Sequence, residues 1–305
     1  VFHKPIGTYY LVVTVMIALA LGATLLMAGL LWLLWPPLAR AFLALAAAGL
    51  LYAYAVEPAW VEFRHLELQM PELPEAWDGL RLAQLSDFHL GMAMPAGRLR
   101  AVLERVNQFQ PDLIVHTGDF FSGQSRGRPP GTEHLGGLRA PLGVYGVLGN
   151  HDYFCETPQL LAALDEAGVR LLRNEAVALT TERGVLWLAG VDDQSTGHDD
   201  LDQALRQVPP GQFTILLSHS PDLIEEVSDR GVALMLSGHT HGGQVCLPIY
   251  GPIFCFSRFY KRYSDGLFRV GPTTLYVNRG LGLALLPFRF FCRPEVTLFT
   301  LRRAR

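Results

Sequence analysis

Gly238-His239-Thr240-His241-Gly242-Gly243-Gln244 follows the apolar run of residues 232–236, which reads as a buried strand. Two imidazoles flank one threonine where that strand should end, and two glycines come next. A turn at the strand end, which glycine permits, lets both rings converge on one point. Neutral imidazole is the commonest protein ligand for transition metals. A lone His-x-His is weak evidence, because core and surface histidines are frequent. The ends of the other strands therefore decide the reading.

Working outward, a short strand at 81–85 runs into Ser86-Asp87-Phe88-His89, and one at 113–115 ends at Thr117-Gly118-Asp119. Residues 144–148 lead to Gly149-Asn150-His151-Asp152, and 213–217 lead to Ser218-His219-Ser220. Taken singly, each has a dull explanation: Asp-x-His as a turn, Gly-Asp as a turn pair, Gly-Asn-His-Asp as a cap. Together, each behind an apolar strand, they point to one site, because α/β sheets gather ligands outside the carboxyl ends of their strands. Oxygens from Asp87, Asp119 and Asn150 with imidazoles from His89, His219, His239 and His241 suit two divalent ions of borderline softness: manganese, zinc or iron. Such pairs sit ~3.5–4 Å apart, share a bridging ligand, clamp phosphoryl oxygens and acidify water. His151 is left over and free to move protons, with Asp152 in sequence reach to hold its ring and raise its pKa.

Between these motifs the chain alternates. Leu99, Val102, Leu103 and Val106 have helical spacing within 98–109, and Thr157-Pro158 can open a helix to about residue 167. Pro221 opens another, to about residue 228. Further strands are read at 61–68, 169–172, 176–179, 185–191, 275–277 and 296–301. This alternation argues an α/β fold. His116 reads as a core residue in mid-strand, His134 and His198 as solvated loop residues, and Asp192-Asp193 as a turn. Tyr153 and Phe154 are expected to pack beside His151.

The first part of the chain is of another kind. Residues 9–35 carry no charge, Pro36-Pro37 interrupts them, and 38–56 is apolar with Arg40 its single charge. At ~1.5 Å per residue the first run exceeds a ~30 Å hydrocarbon core. We expect a transmembrane helical hairpin over 1–56. A cleaved leader is disfavoured by the length of the first run and by the second; one span followed by a surface-lying helix is the other arrangement. The chain opens on Val1, which suggests a trimmed or alternative start. Residues 57–79 read as a linker with one strand, and 80–305 as the soluble domain.

The 305 residues carry a formal charge of −3. Residues 251–305 hold ten Lys and Arg against Asp265 and Glu295, a local +8, which leaves 57–250 near −13. A basic end on an acidic body suits an anionic partner. Membrane headgroups or a phosphorylated substrate fit it, and no nucleic-acid motif is present. Cys155, Cys246, Cys255 and Cys292 show no paired spacing and read as thiols, which favours a reducing compartment.

The combined pattern DFH…GD…GNHD…SH…GHTHGGQ resembles the calcineurin-like metallophosphoesterase family over about residues 80–301. The resemblance implies an αββα sandwich, two mixed sheets flanked by helices. It implies Asp87, His89 and His241 as ligands of one metal, Asn150, His219 and His239 as ligands of the other, and Asp119 as the bridge. It implies His151, paired with Asp152, as the catalytic acid. No ligand position is missing. The stretches Gly242-Gly243-Gln244, residues 276–282 and Arg293-Pro294-Glu295 resemble the bacterial membrane-anchored branch, which includes phosphodiesterases and a UDP-diacylglucosamine pyrophosphatase of lipid A synthesis. A lipid-linked substrate follows as an expectation. The aromatic and cationic residues of 253–262, with Arg258 and Arg262, and of 283–293 would grip an acyl chain, a headgroup or the bilayer interface; a core loop with a solvated charge run is the competing reading. Arg279 is placed either near phosphate or in a structural role. A tethered protein phosphatase or nucleotidase and a non-catalytic metal-binding scaffold are the alternative functions. Few charges flank the spans; the thiols point the domain to the cytoplasmic face of the plasma membrane.

Overall fold

The computed structural model describes residues 6–92, 94–123, 129–155, 157–182 and 184–304, without the side chains of 6–13 and 157. Lys4, Arg305, the Thr157 cap and residues 124–128 of the polar loop at 122–131 therefore lie outside what is described.

Two apolar helices come first, α1 (Ile6–Leu34) and α2 (Pro36–Leu51). Trp35 separates them, and Pro36 and Pro37 open α2, where a missing N–H costs nothing. Thr24, Ala28 and Leu31 on α1 and Ala39, Phe42, Ala46 and Gly49 on α2 are the less exposed positions. This three-and-four spacing fits the contact the helices make with each other. Leu19, Leu25, Leu33 and Leu45 stay exposed, a surface that water does not favour. Residues 14–34 and 36–59 are long and apolar enough to cross a membrane, with mean hydropathy 2.3 and 1.6.

A π-helical turn (Tyr52–Val56) and a 3-10 turn (Glu57–Ala59) end the apolar segment. Glu57 is fully buried there, and its carboxylate accepts the N–H groups of Phe291 and Cys292. Arg289 N–H donates to the Ala53 carbonyl, and an Arg98 guanidinium to that of Pro58. The helix end is thus bonded into the domain that follows.

That domain is two mixed six-stranded sheets. The first contains β1 (Glu62–Met70), β2 (Leu80–Leu85), β3 (Leu113–Thr117), β4 (Val144–Val147), β5 (Val169–Leu171) and β14 (Glu295–Arg303), in the order β1-β14-β2-β3-β4-β5. The second contains β6 (Glu175–Thr181), β7 (Gly184–Gly190), β8 (Thr214–Leu217), β9 (Leu234–Ser237), β12 (Gly266–Val270) and β13 (Thr273–Val277), in the order β12-β13-β9-β8-β7-β6. A small antiparallel ribbon joins β10 (Cys246–Leu247) and β11 (Gly251–Pro252). Strands β2 to β5 run parallel, as do β7, β8, β9 and β13, so their carboxyl ends share an edge within each sheet.

Leu82, Val115 and Val147 from one sheet meet Leu188, Ile215, Leu217 and Leu236 from the other in a common core. Burying each such side chain stabilises the fold by about 1.5–3 kcal/mol. The outer face of the first sheet is covered by α3 (Ala96–Gln108) through Leu99, Val102, Leu103 and Val106, and by α5 (Thr157–Glu166) through Leu160 and Leu164. The outer face of the second is covered by α6 (Leu201–Leu205) and α7 (Ile224–Val227). This is the αββα sandwich that the motifs imply. The sequence did not reveal the one-turn helix α4 (Asn150–Phe154), α6, β12 or the β10–β11 ribbon. All are short, and none repeats a period for long enough to read. No disulfide joins the four cysteines.

Candidate metal centre

The five polar strand ends meet at one rim. Asp87 and His89 follow β2, Asp119 follows β3, Asn150 and His151 open α4 after β4, His219 follows β8, and His239 and His241 follow β9. The chain turns hard at three of them, after β2, β3 and β9. Asp87, His89, Asp119, His239 and His241 all have left-handed backbones, with φ of 51°, 46°, 58°, 69° and 51°. Such conformations are costly for residues other than glycine and cluster where function requires them. Glycine is needed where a side chain would collide. A Cβ on Gly238 would run into Ser86 Oγ and Asp87 Oδ2, and one on Gly118 would lie 2.5 Å from His219 Nδ1.

Two groups of donors result. In the first, His89 Nε2 lies 2.9 Å from His241 Nε2, 3.9 Å from Asp87 Oδ1 and 3.6 Å from Asp119 Oδ2, while His241 Nε2 lies 3.3 Å from Asp87 Oδ1. In the second, His219 Nε2 lies 3.3 Å from Asp119 Oδ2 and 3.1 Å from His239 Nδ1. Asp119 faces both groups. The donor atoms of Asp87, His89 and His241 lie within 4.8 Å of one another, as do those of Asp87, Asp119 and His219 and those of His89, Asp119 and His151.

These residues fit divalent cations on two independent counts. Asn150 Oδ1 is buried with no hydrogen-bond partner among the described residues, a cost that a cation would remove. Electrostatics is the other. Asp87, Asp119 and Asp152 are all buried, and burial together with the Asp119 charge pushes the Asp152 carboxyl up to about 7. Three carboxyl groups buried this close together are a setting that a cation would relieve. Burial also drives the His89 imidazole well below its usual range and lowers His239 and His241, which favours the neutral, ligating form. His219 goes the other way: burial lowers it, but the facing Asp119 carboxylate outweighs burial and raises it.

The first group is braced from behind. His89 Nδ1 lies 2.6 Å from Ser122 Oγ, and the same hydroxyl lies 2.9 Å from His151 Nδ1. With Nε2 given to a metal, His89 carries its proton on Nδ1 and donates it to Ser122. The Ser122 hydroxyl can face His151 Nδ1 as donor to a neutral ring or as acceptor from a protonated one. His241 Nδ1 lies 3.2 Å from the guanidinium of Arg289. Arg289 is wholly buried and also donates to the carbonyls of Arg279, Gly282 and Cys292. Sequence reasoning missed both residues. Ser122 sits in a loop whose composition carries no signal, and Arg289 lies amid aromatics that suggested a lipid contact.

Asp152, expected at the ring of His151, accepts the backbone N–H groups of Asp119, Phe121 and Gly149, so it shapes the turns that aim Asp119 and His151. Arg279 pairs with Glu295 and Glu62 at 2.7 Å each. Arg258 pairs with Glu226 and Arg262 with Glu225, both on α7. His116 is buried between Phe88 and Phe120, and burial lowers it to about 3. His198 is exposed and stacks on Tyr153, and Asp192 takes hydrogen bonds from Tyr153 and Arg173. Phe154 is exposed, its ring 5.9 Å from that of His151. Asn150, His151 and His239 are the partly exposed members of the rim, so the rim opens to solvent over them.

The calcineurin-like phosphoesterase model matches residues 80–243, which contain every residue of the two donor groups. An uncharacterized metallophosphoesterase of Bacillus subtilis (strain 168), YkuE, is 36% identical over 266 residues, covering 84% of this chain and 91% of that protein. A transmembrane protein with metallophosphoesterase domain from Danio rerio is 34% identical over 274 residues, covering 85% of this chain and 61% of that protein. UDP-2,3-diacylglucosamine pyrophosphatase LpxG of Chlamydia muridarum is 28% identical over 309 residues, covering 81% of this chain and 91% of that protein.

Proposed function

This chain belongs to the calcineurin-like phosphoesterase family, a family of metal-dependent hydrolases, and from that premise we propose that it cleaves a phosphodiester or pyrophosphate bond in a lipid-linked substrate at the membrane that its helices enter. The observation that carries this is the convergence of Asp87, His89, Asp119, His219 and His241 on a rim whose chain is bonded through Glu57 to an apolar helix pair. The similarity to a UDP-2,3-diacylglucosamine pyrophosphatase favours a nucleotide-diphospho-lipid of that kind.

In this reading Asp87, His89 and His241 would hold one cation and Asn150, His219 and His239 the other, with Asp119 facing both groups. The bound cations supply a Lewis acid for the phosphoryl oxygens and a lowered pKa for water. The chain supplies the rest. In its protonated form His151, held at Nδ1 by Ser122, would give its Nε2 proton to the departing phosphate or alkoxide oxygen and be left as the neutral ring. Asp152 fixes the backbone on both sides of that ring.

Incubating the purified full-length protein with UDP-2,3-diacylglucosamine and manganese, zinc or ferrous iron tests the substrate. Formation of UMP and the lipid monophosphate supports it. Hydrolysis of bis-p-nitrophenyl phosphate without that reaction would move the assignment to another phosphoester, and silence toward both with every metal would favour a scaffold.

A further inference from the structure

A few residues after His241 in sequence, a second face is built against ordinary economy. Between β10 and β11 the ribbon tip is Pro248-Ile249-Tyr250, with Ile249 fully exposed and Tyr250 61% exposed. Beside it Phe291 is 57% exposed, and Trp60 54%. Ile249 and Phe291 both have left-handed backbones, with φ of 71° and 51°. For a β-branched isoleucine that conformation is a genuine outlier. The chain thus holds two large apolar side chains in water, in a backbone shape that glycine would take without strain. A fold bears such a cost where the exposed groups meet something.

Hydrogen bonds fix these residues to one another and to the helix end. Cys246 N–H donates to the Phe290 carbonyl, and Phe291 N–H donates to Glu57. The Phe290 ring meets that of Tyr52 edge-on at 6.3 Å. Leu247, Pro248, Ile249, Phe291 and Cys292 line one open cavity of about 450 Å3. Cations sit at the aromatic tips: Lys261 Nζ is 3.1 Å from the centre of the Tyr250 ring, and the Arg293 guanidinium lies 4.2 Å from that of Trp60. Aromatic rings beside lysine and arginine, level with the end of an apolar helix, are the composition of a membrane interface facing anionic headgroups.

We propose that the β10–β11 tip, Phe291 and Trp60 form a bilayer-seated face, with Ile249 and Phe291 in the interfacial layer and Lys261 and Arg293 at the phosphates. The domain then rests on the membrane instead of swinging from its tether. The placement follows from continuity with α2 and does not depend on which bond the metal rim cleaves.

The test uses the full-length protein in vesicles of phosphatidylethanolamine and phosphatidylglycerol. A genetically encoded, environment-sensitive fluorescent amino acid is placed at position 249 and, in a second variant, at position 267. Leu267 is the control: it is exposed and lines a cavity with Glu67, Gln69 and Met70 at the far end of β1, roughly 20 Å from the Glu62 end by strand rise. Unchanged far-UV circular dichroism and thermal midpoint confirm folding at these exposed sites. The expected result is blue-shifted emission at 249, quenched several-fold more by lipid-borne nitroxide than by aqueous iodide, with the reverse preference at 267. Equal iodide quenching at the two positions overturns the proposal. Shielding of position 249 from both quenchers overturns it too, because a second protein copy would then cover the face.

Discussion

The two donor groups of the rim are not built alike. Around the first, Asp87, His89 and His241 are buried, Ser122 stands behind His89, and Arg289 stands behind His241. Around the second, Asn150 and His239 are partly exposed and, among the described residues, the Asn150 oxygen has no partner; the His219 ring is tied back, its Nδ1 2.8 Å from the Thr117 carbonyl. The difference separates holding from working. Ligands already held from behind, His89 by Ser122 at Nδ1 and His241 by Arg289 at its backbone carbonyl, lose little freedom when a cation arrives, so the first group is preorganised. The second keeps an open side where a phosphoester can enter.

Asp119 belongs to both groups, so removing it should erase the contrast altogether. Asp119→Ala is expected to reduce hydrolysis of bis-p-nitrophenyl phosphate to background and to lower cation content at both positions; metal analysis of the purified variant checks it. His151→Ala probes the open side without touching a proposed cation ligand. Its turnover should fall by about 10²–10⁴-fold while its cation content stays that of the parent. Retained turnover in that variant would remove His151 from the assigned role.

Ser122→Ala reaches across the contrast, because one hydroxyl serves a ligand of the first group and the ring on the open side. A loss of about 10–100-fold in metal affinity or activity is expected. The pH–rate profile should also change shape, since His151 Nδ1 loses its hydrogen-bond partner; a uniform loss with an unchanged profile would leave Ser122 merely structural. The smallest effect concerns the imidazole that faces no cation. Burial puts His116 at about 3 in the folded chain, against about 6.5 when unfolded. Between those values the unfolded state binds the extra proton, so this residue erodes stability as pH falls from 6.5 toward 3. His116→Phe should therefore carry a stability deficit that shrinks between pH 7 and pH 4 in urea titrations. A constant deficit would contradict the burial argument.

Much of this was legible before any coordinates. The strands that end at Asp87, Asp119, Asn150, His219 and His239 announce themselves by apolar runs followed by polar turns. The apolar helix pair needs nothing beyond its composition. What stayed hidden depends on contacts between segments distant in sequence. Asp152 looked like a partner for its neighbour's ring, yet a one-turn helix carries its carboxylate back to the N–H groups of Asp119 and Phe121. Arg279, read as either a phosphate contact or a structural residue, lies between Glu62 and Glu295, and Glu62 is 217 positions away in sequence. Arg289 reads as one more cation in an aromatic stretch, and only the fold puts it behind His241. Ile249 stands in a plain apolar tetrapeptide whose left-handed backbone no propensity would suggest.

The account stands on two cations held by one rim, and counting them is the most direct test. Inductively coupled plasma mass spectrometry on the full-length protein, purified with manganese and dialysed, should give two equivalents per chain. Asn150→Ala should give one, because the open group gives up its ion first. One equivalent or none in the parent protein, or two equivalents still held by Asn150→Ala, would contradict it.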